Sequence, residues 1–273
     1  MKKVLEFLVH SNIYLALCMS SVAFMCMTLY QVNFRWEPIF ILFIGTFFMY
    51  NLNRKTDIKE DKINYHERFK FLEKYGNIIF ITGGILFLFT LGLALMNGLY
   101  TFLITIFLVI LTSSYSIFKM KKIFFLKYIL VSVVWGTAAF LVGSYFFTIN
   151  LSVLLVFIFI FLRVLITTIF FDIRDIKGDK LYGISTIPNK YGVNNTKHIL
   201  YIINTVCGLF LLSIIYLNLL SHLIYLLSLI VFYCYFYISL IGKVNVKVLG
   251  EVADGEYIIL GILTIIGVFV IGL

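Results

Sequence analysis

Residues 151–171 read LSVLLVFIFIFLRVLITTIFF and lead without a break into Asp172-Ile173-Arg174-Asp175-Ile176-Lys177-Gly178-Asp179. The apolar part is 21 residues long, enough for a helix to cross the roughly 30 Å of a bilayer's hydrocarbon layer. It reads as helix because lipid offers no partner for the unpaired backbone of an isolated strand. Asp172, Asp175 and Asp179 then follow at i, i+3 and i+7, a spacing that sets three carboxylates on one helix face. Carboxylates beside a membrane cost free energy unless they are hydrated, paired or bound to a cation.

Working outward, the rest of the chain repeats this alternation of apolar run and charged segment. Hydrophobic residues make up 62% of the 273 residues and the mean hydropathy is +1.05. A soluble domain of that size has nowhere to bury so much apolar surface, so the chain reads as an all-α polytopic membrane protein. Nine spans are expected, near 10–30, 37–53, 77–96, 99–117, 128–147, 151–171, 197–217, 219–241 and 255–273, in a single domain covering 1–273. The net charge of +9 is concentrated between the spans, where it sets topology and meets anionic lipid; it is not a nucleic-acid signal. Segment 54–75 holds seven Lys or Arg and 119–127 holds four Lys, whereas Asn97-Gly98, Thr148-Ile149-Asn150 and Asn218 join spans without charge. The positive-inside rule places the N-terminus and the charged loops in the cytoplasm and the C-terminus on the far side. Met1-Lys2-Lys3 before an apolar run imitates a signal peptide. No small-residue cleavage site follows, so it reads as a retained first helix. Cys18, Cys26, Cys207 and Cys234 lie inside apolar runs without metal-ligand spacing, as small buried hydrophobes do.

A second acidic segment precedes the first in the chain: Asn53-x-x-x-Asp57-x-x-x-Asp61. Their aspartates alone are five of the 13 acidic residues. Asp57-x-x-x-Asp61-Lys62 recurs as Asp175-x-x-x-Asp179-Lys180 at an offset of 118 residues, and Lys74-Tyr75-Gly76 as Lys190-Tyr191-Gly192 at 116. Two similar halves, about 1–125 and 126–273, each giving one acidic helix end to a shared site, account for this pattern. Along a helix Asn53, Asp57 and Asp61 drift by only about 40° per step. Two facing stripes of carboxylates would repel strongly without cations. Hard oxygen ligands suit Mg²⁺, which would bridge to a diphosphate and neutralise a leaving group. The competing reading is solvated loop acids paired with Arg54, Lys55, Arg174 and Lys177.

The paired segments make the chain resemble the UbiA superfamily of intramembrane prenyltransferases. The family's first signature, Asn-Asp-x-x-Asp-x-x-x-Asp followed by Lys-Ile-Asn-x-Pro-x-Arg, corresponds to Asn53, Asp57, Asp61, Lys62-Ile63-Asn64 and Arg68. Arg54 stands where the pattern has Asp, His66 where it has Pro, and Phe69 where Pro is common. The second signature appears as Asp172, Asp175, Asp179, Gly183, Thr186 and Pro188, and a Tyr-x-x-x-Lys pattern as Tyr115 and Lys119. The resemblance implies nine helices around a central cavity. It also implies Mg²⁺ at Asn53, Asp57, Asp61, Asp175 and Asp179, with the four aspartates catalytic. Diphosphate would be held by Asn53, Arg68, Tyr115 and Lys119 with Asp172 in support, Arg as a fork and Lys as a point charge.

The expected activity is transfer of a polyprenyl group from its diphosphate to a membrane-accessible acceptor, either an aromatic ring of quinone-precursor type or a lipid. The alternatives are a glycerol-phosphate ether-lipid prenyltransferase, a membrane terpene cyclase, and a non-enzymatic membrane protein that keeps the carboxylates as an ion or lipid site. An electron-rich ring needs no strong base; a hydroxyl acceptor calls for one that the sequence does not name. His10, His66, His198 and His222 show no mutual metal spacing. Arg163 sits within an apolar run and must reach either the cavity or a carbonyl. Asp254-Gly255-Glu256 reads as the N-terminal cap of the last helix, with substrate contact as the alternative.

Overall fold

The computed structural model describes residues 2–56, 66–118, 120 and 123–271, and every regular element among them is a helix. In chain order these are α1 (Lys2–His10), α2 (Ile13–Leu29), α3 (Trp36–Thr56), α4 (His66–Asn97), α5 (Leu99–Ile117), α6 (Leu126–Tyr145), α7 (Leu151–Leu181), α8 (Ile187–Tyr216), α9 (Leu223–Leu227), α10 (Ile230–Ser239) and α11 (Val246–Ile271). Neighbours in sequence pack side by side from α2 through α8, α10 packs on α8 and on α11, and α11 returns to α2. The helices thus close into a ring. Contacts of α6 with α2 and of α11 with α7 reach across it.

The short uncharged turns use positive backbone angles to reverse the chain. Gly98 has φ 148°, Phe147 has φ 55° and Asn218 has φ 50°. At the start of α7, the Asn150 side chain accepts a hydrogen bond from the Val153 N–H at 3.3 Å, satisfying one of the helix's orphan donors. Between α1 and α2 the left-handed Asn12 turns the axis by 79°. Its side chain donates to Asn51 Oδ1 at 3.0 Å, and Asn51 Nδ2 donates back to the Ser11 carbonyl at 3.1 Å. That exchange locks the bend against α3.

Large apolar side chains face outward in stripes at helical spacing, such as Ile78, Ile81, Ile85 and Leu88 on α4 and Phe232 and Phe236 on α10. Water would not tolerate such a belt, and the chain is a multi-pass membrane protein. Five described helices, α4, α6, α7, α8 and α11, are long and apolar enough to cross a membrane, or six if the bent pair α1–α2 is one span. The nine expected spans are not reached by this measure. The run expected at 37–53 is helical, but Glu37 at one end and Asn51 and Asn53 at the other dilute it. Leu99–Tyr115 and Leu223–Ser239 are apolar but short.

The helices also overrun their apolar windows. Helix α7 continues to Leu181 and carries Asp172, Asp175 and Asp179, and α8 begins at Ile187, breaking its helical geometry only at Gly192 (φ 80°). The final helix starts at Val246, so Asp254 and Glu256 lie two turns or more inside it. The expected cap at Asp254-Gly255-Glu256 is therefore incorrect, because the charged residues interrupt the apolar pattern without ending the helix. All four cysteines are free and buried, as their apolar setting implies.

Candidate active site

Inside the ring lies a cavity of about 270 Å³, lined by residues from α1 to α7 and from α11. Its polar end is assembled from helix termini. The last turn of α3 gives Asn53 and Arg54, and the first turn of α4 gives Arg68. Tyr115 comes from the end of α5, Lys127 from the start of α6, and Asp172, Arg174 and Asp175 from the last turns of α7. The deeper wall is apolar or aromatic: Leu130, Val131, Val134 and Trp135 of α6, Val164, Thr167, Thr168 and Phe171 of α7, Tyr50 of α3 and Tyr257 of α11. Val164 and Asp175 are 11 residues apart on one helix, so wall and polar end are separated by roughly 16 Å.

The polar tips of the aromatic wall are spoken for. Trp135 Nε1 donates to the Tyr50 hydroxyl at 3.0 Å, the Trp135 and Tyr257 rings lie 4.9 Å apart, and the Tyr257 hydroxyl shares a 3.0 Å hydrogen bond with Thr167 Oγ1. What these rings turn to the cavity is therefore apolar face and π-density.

At the polar end Asp172 is almost wholly buried. Its Oδ1 takes a close ion pair from Lys127 Nζ, and its Oδ2 accepts from the Tyr128 hydroxyl at 2.6 Å. Tyr128 in turn accepts from the Ile187 N–H at 2.9 Å. One carboxylate thus ties α6 to α7 and to the start of α8, and it aims the Lys127 ammonium at the cavity. A buried carboxylate is tolerated only with this degree of compensation. Asp175 sits beside Arg174, whose Nε and Nη2 donate to its two oxygens at 3.2 and 3.3 Å.

Of the residues expected to form the site, Asn53, Arg68, Tyr115, Asp172 and Asp175 all line this one cavity. Asp179 is buried on the same helix but is not among the lining residues. Asp57, Asp61 and Lys119 lie outside the described residues. The oxygen donors at the polar end, the Asn53 amide and the Asp175 carboxylate, are of the hard kind that Mg²⁺ takes. Among the described residues no group of three acids, histidines or cysteines is close enough to hold a metal by itself.

The sequence model of the UbiA prenyltransferase family matches residues 18–246, most of the chain. The chain belongs to the UbiA prenyltransferase family. A search of curated protein sequences finds no match. Among solved structures, the fold is similar to the apo form of a UbiA homologue from Aeropyrum pernix K1, with a TM-score of 0.71 at 15% identity over 93% of this chain and 97% of that one. It is also similar to a UbiA homologue from Archaeoglobus fulgidus bound to GPP and Mg²⁺ (TM-score 0.69, 15% identity, 94% and 96% covered). A digeranylgeranylglyceryl phosphate synthase gives a TM-score of 0.64 at 18% identity, covering 98% of this chain and 99% of that one.

Within this UbiA fold, sequence reasoning missed Lys127, Tyr128 and Trp135 as parts of the cavity or its support, and it favoured a helix cap for Asp254, which lines the cavity. Lys127 was visible only as one of a run of lysines, and its pairing with Asp172 spans 45 residues. Arg163 turns neither to the cavity nor to a carbonyl. Its guanidinium donates to both Glu256 oxygens at 2.6 and 2.5 Å and to Asn204 Oδ1 at 2.7 Å, and the Tyr237 hydroxyl donates to Glu256 Oε2 at 3.0 Å.

Proposed function

We propose that this UbiA-family protein is an intramembrane, Mg²⁺-dependent prenyltransferase that moves a polyprenyl group from its diphosphate to an aromatic or lipid acceptor. The single observation that carries the reading is the polarity of the cavity: cations and oxygen donors from five helix ends at one pole, apolar and aromatic wall at the other. A prenyl diphosphate has the same division.

In this reading Asn53, Asp57, Asp61, Asp175 and Asp179 hold Mg²⁺, which supplies charge neutralisation to the departing diphosphate. Arg68 grips phosphate oxygens as a fork, Lys119 and Lys127 act as point charges, and Tyr115 lines the same pole. Asp172 acts through Lys127, fixing the ammonium while its own oxygens stay occupied. As the allylic carbon–oxygen bond breaks, the electron pair leaves with the diphosphate, and positive charge grows on the allylic carbon, at the boundary between the polar pole and the aromatic wall. Aromatic faces favour a cation there, and the apolar wall keeps out the water that would quench it. The acceptor then supplies the electron pair for the new bond. We extend the reading to the topology: nine spans in two similar halves, with the N-terminus and the polar pole on the cytoplasmic side and the C-terminus on the far side.

The test is product formation. Purified protein in lipid is given geranylgeranyl diphosphate labelled at the allylic carbon, with ring, glycerol-phosphate and no-acceptor conditions in parallel. The expected result is Mg²⁺-dependent label in an acceptor adduct, lost in Asp175→Asn. Label in a cyclised hydrocarbon without acceptor would replace the reading with a cyclase. Intact substrate under all conditions would remove prenyl transfer altogether.

A further inference from the structure

At Arg54 the first acidic segment reverses the charge that the UbiA pattern carries, since the pattern has Asp there. The cations that close a membrane helix ordinarily point outward, where they meet lipid phosphate and set topology. Lys55, the next residue, does this: it is exposed, and its ammonium lies 4.1 Å from the centroid of the Phe80 ring of α4. Arg54 is half-buried and lines the cavity instead. So does Tyr50, one turn earlier on the same face of α3, whose hydroxyl accepts from Trp135 Nε1. The inward direction has a counter-charge. Asp254 of α11 lines the same cavity, and Arg174 and Arg54 are its leading charge neighbours. A guanidinium is thus turned to the polar end at a position where the family pattern has a carboxylate. A carboxylate meets a diphosphate only through a bridging cation. A guanidinium meets it directly, as a permanent cation whose paired N–H donors match phosphate oxygens.

We infer that Arg54 is a diphosphate-binding residue that takes over part of the charge neutralisation otherwise left to Mg²⁺, so that this chain holds a prenyl diphosphate even without the metal. This rests on the reading of the cavity as a prenyl diphosphate site, and it adds a division of labour to that reading. Arg54, from the last turn of α3, and Arg68, from the first turn of α4, grip the phosphates. The metal is left with the further neutralisation that bond cleavage requires.

The experiment measures equilibrium binding, which needs no turnover. The probe is geranyl S-thiolodiphosphate, whose carbon–sulfur bond resists cleavage, added to the full-length protein in lipid. Trp36→Phe leaves Trp135, a cavity residue, as the sole tryptophan reporter. Each variant is titrated once with Mg²⁺ and once with EDTA. The parent is expected to bind under both conditions. Arg54→Gln is expected to weaken binding in EDTA by about tenfold or more, as loss of a hydrogen bond between charged groups allows, and binding in Mg²⁺ by less. Lys55→Gln removes the same charge from the outer face and is expected to leave both affinities unchanged. The inference is overturned if the parent does not bind in EDTA, or if Lys55→Gln weakens binding as much as Arg54→Gln. It is also overturned if Arg54→Gln binds in EDTA as well as the parent or better, the result for a residue that only neutralises the neighbouring acids. Product formation from geranylgeranyl diphosphate is measured separately. Product without metal-free binding leaves prenyl transfer standing and removes this inference; metal-free binding without product does the reverse.

Discussion

Arg163 shows how a single residue can be affordable at membrane depth. Alone there, a guanidinium would cost several kcal/mol. Here all three of its nitrogens donate, two of them to Glu256 in the two-pronged geometry that suits a carboxylate. Asn204 also donates to the Val231 carbonyl at 3.0 Å, so α7, α8, α10 and α11 are joined by one polar cluster. Truncating one partner strands the other charge. Arg163→Leu is expected to destabilise the protein by about 3–5 kcal/mol, and Arg163→Leu with Glu256→Leu to recover part of that. Thermal unfolding in detergent reads both. The cost of Arg163 was legible in the sequence, but its partner was not, because 93 residues separate the two. The same holds for Lys127 and Asp172: a local motif names the acid, while only folding brings the base.

At the scale of helices, packing in lipid cannot draw on the hydrophobic effect, and close backbone approach takes its place. On α6 a Cβ at Gly136 would lie 2.9 Å from the Phe157 ring and 3.3 Å from its carbonyl, and one at Gly143 would lie 2.7 Å from Val153. These glycines let α6 and α7 meet. Gly136→Val is expected to cost about 1–3 kcal/mol through overpacking. Gly45 on α3 faces open space, so Gly45→Ala is expected to be neutral or to stabilise by up to about 1 kcal/mol through higher helix propensity. Melting temperatures in detergent distinguish the two. Element identity was legible because long apolar runs in lipid permit only helix among open structures. Element ends were not. The acidic and basic residues that close an apolar window at 171 or hold it off until 255 are carried on helices whose turns are satisfied by distant partners, and hydropathy alone has no view of those.

Across the whole molecule, a ring of helices gathers residues from five helix ends at one pole of a single cavity. The polar end of the cavity was partly legible: spacing singled out Asn53, Asp172 and Asp175, the family resemblance added Arg68 and Tyr115, and all five line it. The aromatic wall was not, because Trp135 and Tyr257 are ordinary residues in membrane helices until the ring closes. The central claim is that two acidic segments 118 residues apart act as one diphosphate site. A double-mutant cycle on Mg²⁺-dependent diphosphate release from geranylgeranyl diphosphate tests it most directly. If Asp57 and Asp175 serve one leaving group, Asp57→Asn and Asp175→Asn each lower the rate by about 100-fold or more, and the double variant is little worse than the worse single one. Losses that multiply independently, or an Asp57→Asn variant as active as the parent, would contradict it.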